Sequence, residues 1–454
     1  MEWKGKRVVI VGAARQGIAL ARFLVGQGAD VVLTDMRSTH QLEAALDSLA
    51  DLPIEWRLGG HSLRMLESAD LLCLSGGVPS DIALVKEAKK RAIPISNDSQ
   101  IFLEETPCKT IGITGSAGKT TTTMLVGRML EAAGFFRKVW VGGNIGNPLI
   151  TDVASMTADD RAVMELSSFQ LEWMTRSPNV AAILNIAPNH IDRHVTMENY
   201  VAAKARILDF QSESDFLILN REDSPTWELT GRAQGKLISF GANKLPEDEL
   251  GTIIRDDQIF LRDEHGEHAV LPLSAIELRG DHNLMNVLAA CAISAAAGAS
   301  TEAMRAGVRG FRGAPHRLEF VRTIHEVDWY NDSIATSPQR AEAAVRSFKR
   351  PLVLLIGGRD KGLPWEEFAS LAGEHAQHVV LFGEAAKNLN AVFQAQAPSL
   401  PVRQAKDLST AVKLAAGVAK PGSVVLLAPG CTSFDEFPDF EARGERFRHL
   451  VNEL

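Results

Sequence analysis

The stretch IGITGSAGKTTTTMLVGRML, residues 111–130, decides how the rest of the chain reads. It passes from a β-branched run through a loop of small residues into a helix-period pattern. A strand that ends in glycines and feeds a helix turns backbone N–H groups toward an anion, and the helix dipole adds positive potential there. Gly115 and Gly118 leave room for phosphate oxygens. Lys119 is placed for the β- and γ-phosphates of a nucleotide, and the Thr120 hydroxyl for Mg2+. The plain alternative is a Gly-rich turn carrying a surface lysine. The usual G-x-x-x-x-G-K-[ST] spacing puts a glycine at 113, where this chain has Ile113. The loop is therefore expected to be a variant in which Gly115 takes over part of the backbone role.

Outward from this loop, short apolar runs alternate with helix-period runs: RVVIVG, DVVLTD, DLLCLSG, TIGITG, VMELS, AAILNI, DFLILN, PLVLLIGG, HVVLFG and SVVLLAPG. They are apolar on both faces, as parallel strands covered by helices must be, so the class is α/β. At 454 residues the chain is too long for one core. Three domains are expected. Residues 1–108 form a Rossmann-like domain, 109–312 a central domain with the parallel sheet of a P-loop ATPase, and 313–454 a second Rossmann-like domain. Within the central block, NKLPEDELGTIIRDDQIFLRDEHGEHAVLPLSAIEL breaks the alternation and reads as a small antiparallel insertion with a hairpin near Gly266.

A formal net charge of −8 and an aromatic content of 6% with 2 Tyr argue against nucleic-acid binding. They leave room for an anionic small substrate, because screening over about 8 Å lets a local cationic pocket outweigh the global charge. Cys73, Cys108, Cys291 and Cys431 form no C-x-x-C pair and read as reduced, mostly buried thiols. No apolar run reaches the roughly 18 residues of a membrane span, and the N-terminus goes from charges straight into a strand. A cytoplasmic location with no membrane partner is expected.

Three further segments carry chemistry. Glu165 ends the apolar run AVMEL at the carboxyl end of a parallel strand, where α/β sites sit, with Ser167 and Ser168 beside it. His190 lies in PNHIDRH between Asn189 and Asp192, a setting for a second metal ion. Lys204 in ENYVAAKARIL reads, from residues alone, as a solvated lysine on a helix. In GDHNLMNVLAACAIS, Asn286 shares a face with Asn283, and Asp281 is the expected N-cap. Ser433-Phe434-Asp435-Glu436 has capping-box spacing at an expected helix start, which can also receive a carboxylate. The N-terminal VVIVGAARQGIALARFLVGQGADVVLTD is nearly a dinucleotide fingerprint with Asp35 at the second strand end, but Ala14 replaces the glycine that lets the backbone approach a pyrophosphate.

GITGSAGKTTTT resembles the ATP loop of the Mur ligase family and its folylpolyglutamate synthase relatives. VGGNIGNP, MELSSFQLE, NIAPNHIDRH, YVAAKARIL, GDHNLMNVLAA, APHRLEF, WYNDSIATSP and LLAPGCTSFDEFPDFEARG follow in the family's order over most of the chain. The resemblance implies ATP-dependent amide formation through an acyl phosphate, with UDP-N-acetylmuramoyl-L-alanine and D-glutamate as substrates, in peptidoglycan precursor synthesis. It implies an ATP site of Gly115, Ser116, Ala117, Gly118, Lys119, Thr120 and Thr121, with Asn286 at the adenine, Arg317 aimed at ATP from the C-terminal domain and Asp332 at the ribose. It implies two Mg2+ ions, with Thr120, Glu165, His190 and Lys204 as ligands, Lys204 being carbamylated by CO2. Lys119, His190 and Lys204 would be the catalytic set. The UDP part would meet Gly12, Ala14, Arg15, Gln16, Gly17, Asp35, Ser75, Gly76 and Asn144. The amino acid would meet Thr336, Lys361, Ser433, Phe434 and Phe440. A monomer is expected.

One position departs from the pattern. The third place of the family's DSxAT segment carries lysine in the best-known glutamate ligases, and here it is Ile334. Either another cation compensates, with Arg359 and Arg317 the candidates, or the amino acid sits differently. D- and L-glutamate both stay open at this point. Three rival readings remain. A NAD-dependent dehydrogenase leaves the lysine loop unexplained, a P-loop switch leaves NHIDRH and APHRLEF idle, and a folylpolyglutamate synthase lacks the UDP-type first domain.

Overall fold

The computed structural model describes residues 2–188, 194, 196–232, 234–278 and 280–454. The chain divides into two compact units, Met1–Phe311 and Arg312–Leu454.

The first unit holds two sheets. The N-terminal one contains β1 (Arg7–Val11), β2 (Asp30–Asp35), β3 (Ile54–Leu58), β4 (Leu71–Leu74) and β5 (Ile95–Ser96), in the order β3-β2-β1-β4-β5. All its pairings are parallel. The central sheet contains β6 (Lys109–Thr114), β7 (Val139–Gly143), β8 (Arg161–Glu165), β9 (Val180–Ile183), β10 (Phe216–Asn220), β11 (Lys236–Phe240), β12 (Gly251–Arg255), β13 (Gln258–Asp263) and β14 (Gly266–Pro272). Its order is β14-β13-β12-β11-β10-β9-β6-β8-β7. The strand that feeds the lysine loop, β6, therefore lies inside the sheet between β8 and β9. This explains Ile113: it is fully buried and paired with Glu165 and Ala182, so the position belongs to the strand core and not to the loop.

The expected hairpin is present between β13 and β14, with Gly266 at φ +125° opening the return strand. This insertion does not form a sheet of its own. β12 pairs parallel with β11, and the antiparallel pair continues the same sheet outward. One apolar cluster runs from Val8, Ile10 and Leu33 through Leu149 and Ala162 to Leu217, so the two sheets of this unit share a core.

The second unit contains β15 (Glu319–Ile324), β16 (Val327–Asn331), β17 (Leu352–Gly357), β18 (Ala376–Phe382), β19 (Val402–Gln404) and β20 (Val424–Gly430), in the order β15-β16-β20-β17-β18-β19. Only β15 is antiparallel to its neighbour. Every apolar run quoted above is a strand. The strands not expected, among them β3, β5, β7 and β19, are short or lie at sheet edges and keep partly exposed residues, so they lack the continuous apolar signal.

All four cysteines are free and buried. Burial pushes the Cys291 and Cys431 thiols up to about 12, which makes them poor nucleophiles. No helix among the described residues is long and apolar enough to cross a membrane.

Candidate active site

The loop after β6 enters the helix Lys119–Ala133 through Gly118, which is left-handed at φ +84°. A Cβ there would stand 2.2 Å from Asn286 Oδ1, so both conformation and space require glycine. Asn286 is buried on the helix Asp281–Ala296 and donates to Asn283 Oδ1 (3.1 Å), as their spacing implied. Asp281 is not the cap of that helix. Gly280 is, without a side-chain bond, and Asp281 is the first helical residue.

Two loop amides are occupied within the protein. Ser116 N donates to Asn185 O (2.9 Å) and Ala117 N to Asn185 Oδ1 (2.9 Å), and Asn185 Nδ2 returns a bond to Ala117 O (3.1 Å). Ser116 Oγ is within 3.0 Å of Tyr200 OH and donates to Ala187 O (2.9 Å). Asn185 and Tyr200 were missed by sequence reading. The signal for Asn185 was a polar residue closing the apolar run AAILN.

Two lysines converge on one carbonyl. Lys119 Nζ donates to Gly115 O at 2.8 Å, and Lys204 Nζ donates to the same oxygen at 2.9 Å. Lys204 also reaches Thr114 Oγ1 (3.4 Å) and lies 4.7 Å from the centroid of the Tyr200 ring. It is 1% exposed. Burial first, and the Lys119 charge second, push its ammonium well below the ordinary lysine range, while Glu165 opposes them. The expectation of a solvated lysine from local sequence is thus overturned. The helix Met197–Ala205 delivers Lys204 inward, beneath the loop.

Beside the lysines, Thr120 Oγ1 donates to Glu165 Oε2 (2.7 Å). Asn144 Nδ2 donates to Glu165 Oε1 (2.8 Å), so this structure puts Asn144 at the acid. A hydroxyl and a carboxylate facing each other supply the hard oxygen donors that Mg2+ prefers. Among the described residues no three His, Cys, Asp or Glu side chains gather to hold a metal. His190 lies outside the described residues. Ser167 caps the short helix Ser168–Leu171 with a reciprocal Gln170 bond, and Ser168 Oγ meets His194 Nε2 at 2.9 Å.

In the N-terminal sheet, Gly17 sits against the loop that follows β1: a Cβ on it would lie 1.9 Å from Gly12 O. Ser75 Oγ donates to Gly12 O (2.9 Å), and Gly76 N to Gln16 Oε1 (3.0 Å), joining the two expected loops. Ala14 and Arg15 are exposed at the start of the helix Arg15–Gly26. Asp35 accepts from Ala13 N (2.8 Å) and from Arg37 through Nε (3.0 Å) and Nη2 (2.8 Å). Although burial alone would raise its carboxyl, these bonds hold it down at about 2. Asp35 therefore braces the loop in this structure.

In the second unit, parallel β16, β20 and β17 lie side by side, and the loops after them carry the expected amino-acid residues. Lys361 Nζ lies 3.5 Å from Thr336 Oγ1. Ser433 is buried and Phe434 exposed. The expected capping box is absent. Ser433 to Glu436 forms a turn in which Glu436 N donates to Ser433 O (3.1 Å). The helix starts only at Phe440, capped by Asp439, which accepts from Ala442 N (2.7 Å). Asp332 accepts from Leu318 N (2.9 Å), and burial raises its carboxyl to about 6. Arg317 is exposed beside it. Arg359 is committed to Glu384 in a two-pronged pair at 2.9 Å for each bond, so it is a poor stand-in for the missing lysine. Arg443, unremarked in the sequence, is fully buried and grips Ser333 O (2.9 Å), Cys431 O (3.1 Å) and Ser333 Oγ (3.0 Å).

The chain matches three family models in succession: the Mur ligase MurD-like N-terminal domain at 6–97, the Mur ligase middle domain at 113–294, and the Mur ligase glutamate ligase domain at 316–431. It is 42% identical over 455 residues to a UDP-N-acetylmuramoylalanine–D-glutamate ligase of Koribacter versatilis, covering 100% of this chain and 99% of the relative. The chain belongs to the Mur ligase family. A ligase of the same name from Symbiobacterium thermophilum is 40% identical, covering 99% of this chain and 98% of the relative. Among solved structures, the UDP-N-acetylmuramate–alanine ligase of Thermotoga maritima shares the fold with TM-score 0.55 at 18% identity, covering 98% of this chain and 99% of that one. A MurF structure from Acinetobacter baumannii matches with TM-score 0.54 at 16% identity, over 98% of this chain and 93% of that one. The three-domain α/β fold of Mur ligases is therefore the fold of this chain.

Proposed function

We propose that the protein joins D-glutamate to UDP-N-acetylmuramoyl-L-alanine in peptidoglycan precursor synthesis, at the expense of ATP. The alanine carboxylate attacks the γ-phosphorus, giving an acyl phosphate and ADP. The glutamate nitrogen then attacks the acyl carbon, phosphate leaves, and the nitrogen loses a proton. A carboxylate approaching a triphosphate meets like charge, worth about 4 kcal/mol per pair at 4 Å and an effective dielectric of 20. Cations must offset that repulsion.

The observation that carries this reading is the meeting of Lys119 and Lys204 on the Gly115 carbonyl, next to the Thr120–Glu165 pair. Lys119 would face the β- and γ-phosphates, with Gly115 to Thr121 around them, and Asn286 the adenine. Thr120 and Glu165 would hold one Mg2+, which shields phosphate charge when bound. His190 and Lys204 are the proposed ligands of a second. A buried lysine that is pressed to shed its proton offers a neutral amine, and addition of that amine to CO2 gives a carbamate anion and a proton. Residues 1–108 would take the UDP portion through Gly12–Gly17, Asp35, Ser75 and Gly76, with Asn144 of the central domain facing the sugar and pyrophosphate. Residues 109–312 would take ATP. Residues 313–454 would take glutamate through Thr336, Lys361, Ser433, Phe434 and Phe440, and bring Arg317 and Asp332 to the nucleotide. The names of the relatives favour D-glutamate, and Ile334 is the one feature that keeps L-glutamate as a second reading. A cytoplasmic monomer is proposed.

Phosphate release from ATP, with UDP-N-acetylmuramoyl-L-alanine and either enantiomer of glutamate, tests this. Release dependent on both the UDP substrate and D-glutamate is expected. Release that ignores the UDP substrate, or none beside NAD reduction, overturns it.

A further inference from the structure

The place of the missing lysine has a cationic neighbour. The loop after β16 runs through Ile334, whose N–H donates to His316 O (3.1 Å). Its carbonyl accepts from Thr336 N (2.9 Å) and from Arg340 Nη1 (3.4 Å). Arg340 stands in the first turn of the helix Pro338–Arg346, which Pro338 starts at its first position. That short connection folds the guanidinium back over the backbone of residue 334. Arg340 is exposed, and among the described residues it has no ion pair, although its charge reaches the buried Asp332 carboxyl. Arg359, one of the two candidates from sequence, is paired with Glu384.

Arg340 also lies within electrostatic reach of Lys361. Burial first, then the Arg340 and Arg443 charges, lower the Lys361 ammonium. Lys361 in turn contacts Thr336, two residues from Ile334. Two cations thus flank the Ile334–Thr336 turn beyond the carboxyl ends of β16 and β17, the parallel strands on either side of β20, where an α/β sheet presents its ligands. A dicarboxylic amino acid needs two cationic or N–H partners. Ile334 can supply neither from its side chain.

We infer that Arg340 replaces the lysine absent from position 334 and pairs with the side-chain carboxylate of the incoming glutamate, while Lys361 and Thr336 take the α-carboxylate. This rests on the ligase reading above and names the cation in its amino-acid pocket. The guanidinium fork suits a carboxylate, and its reach from the helix compensates for the apolar side chain at 334.

The test is the Arg340→Gln variant in the full-length enzyme. KM for glutamate should rise about 10- to 100-fold, the loss expected of one charge-assisted contact. KM for ATP and for the UDP substrate should stay within about twofold of wild type. Arg340→Lys should recover part of the loss, and Ile334→Lys placed on Arg340→Gln should recover more. A helix or loop merely loosened by the change would not be rescued by a cation at 334. A glutamate KM unchanged in Arg340→Gln, or an ATP KM that rises as much as the glutamate KM, overturns the proposal. A second readout is independent of turnover: D-glutamate should raise the melting temperature of the wild type more than D-glutamine does, and Arg340→Gln should abolish the difference. If the wild type shows no glutamate-dependent phosphate release yet this difference holds, the ligase reading fails and the carboxylate subsite stands. If the difference is the same in both proteins, the subsite assignment fails.

Discussion

Among the described residues, each of the two units of the chain buries one long cation without an ion-pair partner, and the two are built for opposite ends. Lys204 in the first unit sits under the glycine loop, bonded to Gly115 O and crowded by Lys119, and burial pushes its ammonium well below the ordinary lysine range. Arg443 in the second unit is as deeply buried, and desolvation lowers it only to about 10, so it stays charged at neutral pH. Its fork ties the chain after β16 to the chain after β20 through Ser333 and Cys431. The lysine is the one proposed above for chemistry. An arginine in such a place is a brace. The difference lies in the intrinsic acidity of the two head groups and in what surrounds them.

Four substitutions probe the contrast between the two buried cations and the sites around them. The largest effect is expected from Lys119→Ala, which removes the charge proposed to face the phosphates together with the charge that presses on Lys204. ATP-dependent ligation should fall by about a thousandfold or more, in the range seen when a pre-placed stabilising group is lost, and steady-state phosphate release measures it. Arg443→Met should cost about 3 kcal/mol of stability or more, because carbonyls that accepted its bonds are left buried and unpaired. Urea unfolding reads this, and a loss under about 1 kcal/mol would remove the brace from the comparison.

Lys204→Ala should lose about a hundredfold in activity, partly restored by small carboxylic acids that stand in for a carbamate, while Lys204→Arg should be inactive and beyond rescue. Full activity of Lys204→Ala would end the carbamate proposal. Stability should move the other way from Arg443→Met. The folded pKa of Lys204 is below its unfolded value, so the unfolded chain binds more protons between the two. Relative to Lys204→Met, the wild type should therefore gain stability as pH climbs toward the ordinary lysine range.

The smallest effect is at Asp332, buried with a folded value of about 6. Here the folded chain holds the proton longer than the unfolded one. Its contribution should fall between about pH 4 and 6 and stay lost above, at most on the order of 2–3 kcal/mol. Asp332→Asn should flatten that slope in pH-dependent unfolding.

Much of the fold was legible because buried parallel strands must be apolar on both faces. The runs that satisfied this are strands without exception, and edge strands such as β3 and β19, which need not satisfy it, were the ones missed. The antiparallel hairpin was legible from Gly266, but its continuity with the main sheet was not, since strand neighbours are chosen by tertiary pairing. In the candidate site, Lys119, Thr120 and Glu165 stood out by position relative to strand and helix ends. Asn185 and Tyr200 did not, because their task is to hold the loop. The proposed cap at Ser433 failed for a related reason: the spacing of a capping box is local, and the chain there turns once more before Asp439 begins the helix.

By itself, then, the sequence determined the α/β class, the strand–loop–helix around Lys119 and the order of the segments, since each depends on side-chain periodicity and on backbone freedom within a few residues. Only the tertiary structure decided that Lys204 faces inward onto Gly115 O, that Arg443 is buried, and that Arg340 folds back over Ile334. Burial and the nearness of another charge are properties of residues far apart in the chain, and no local pattern records them.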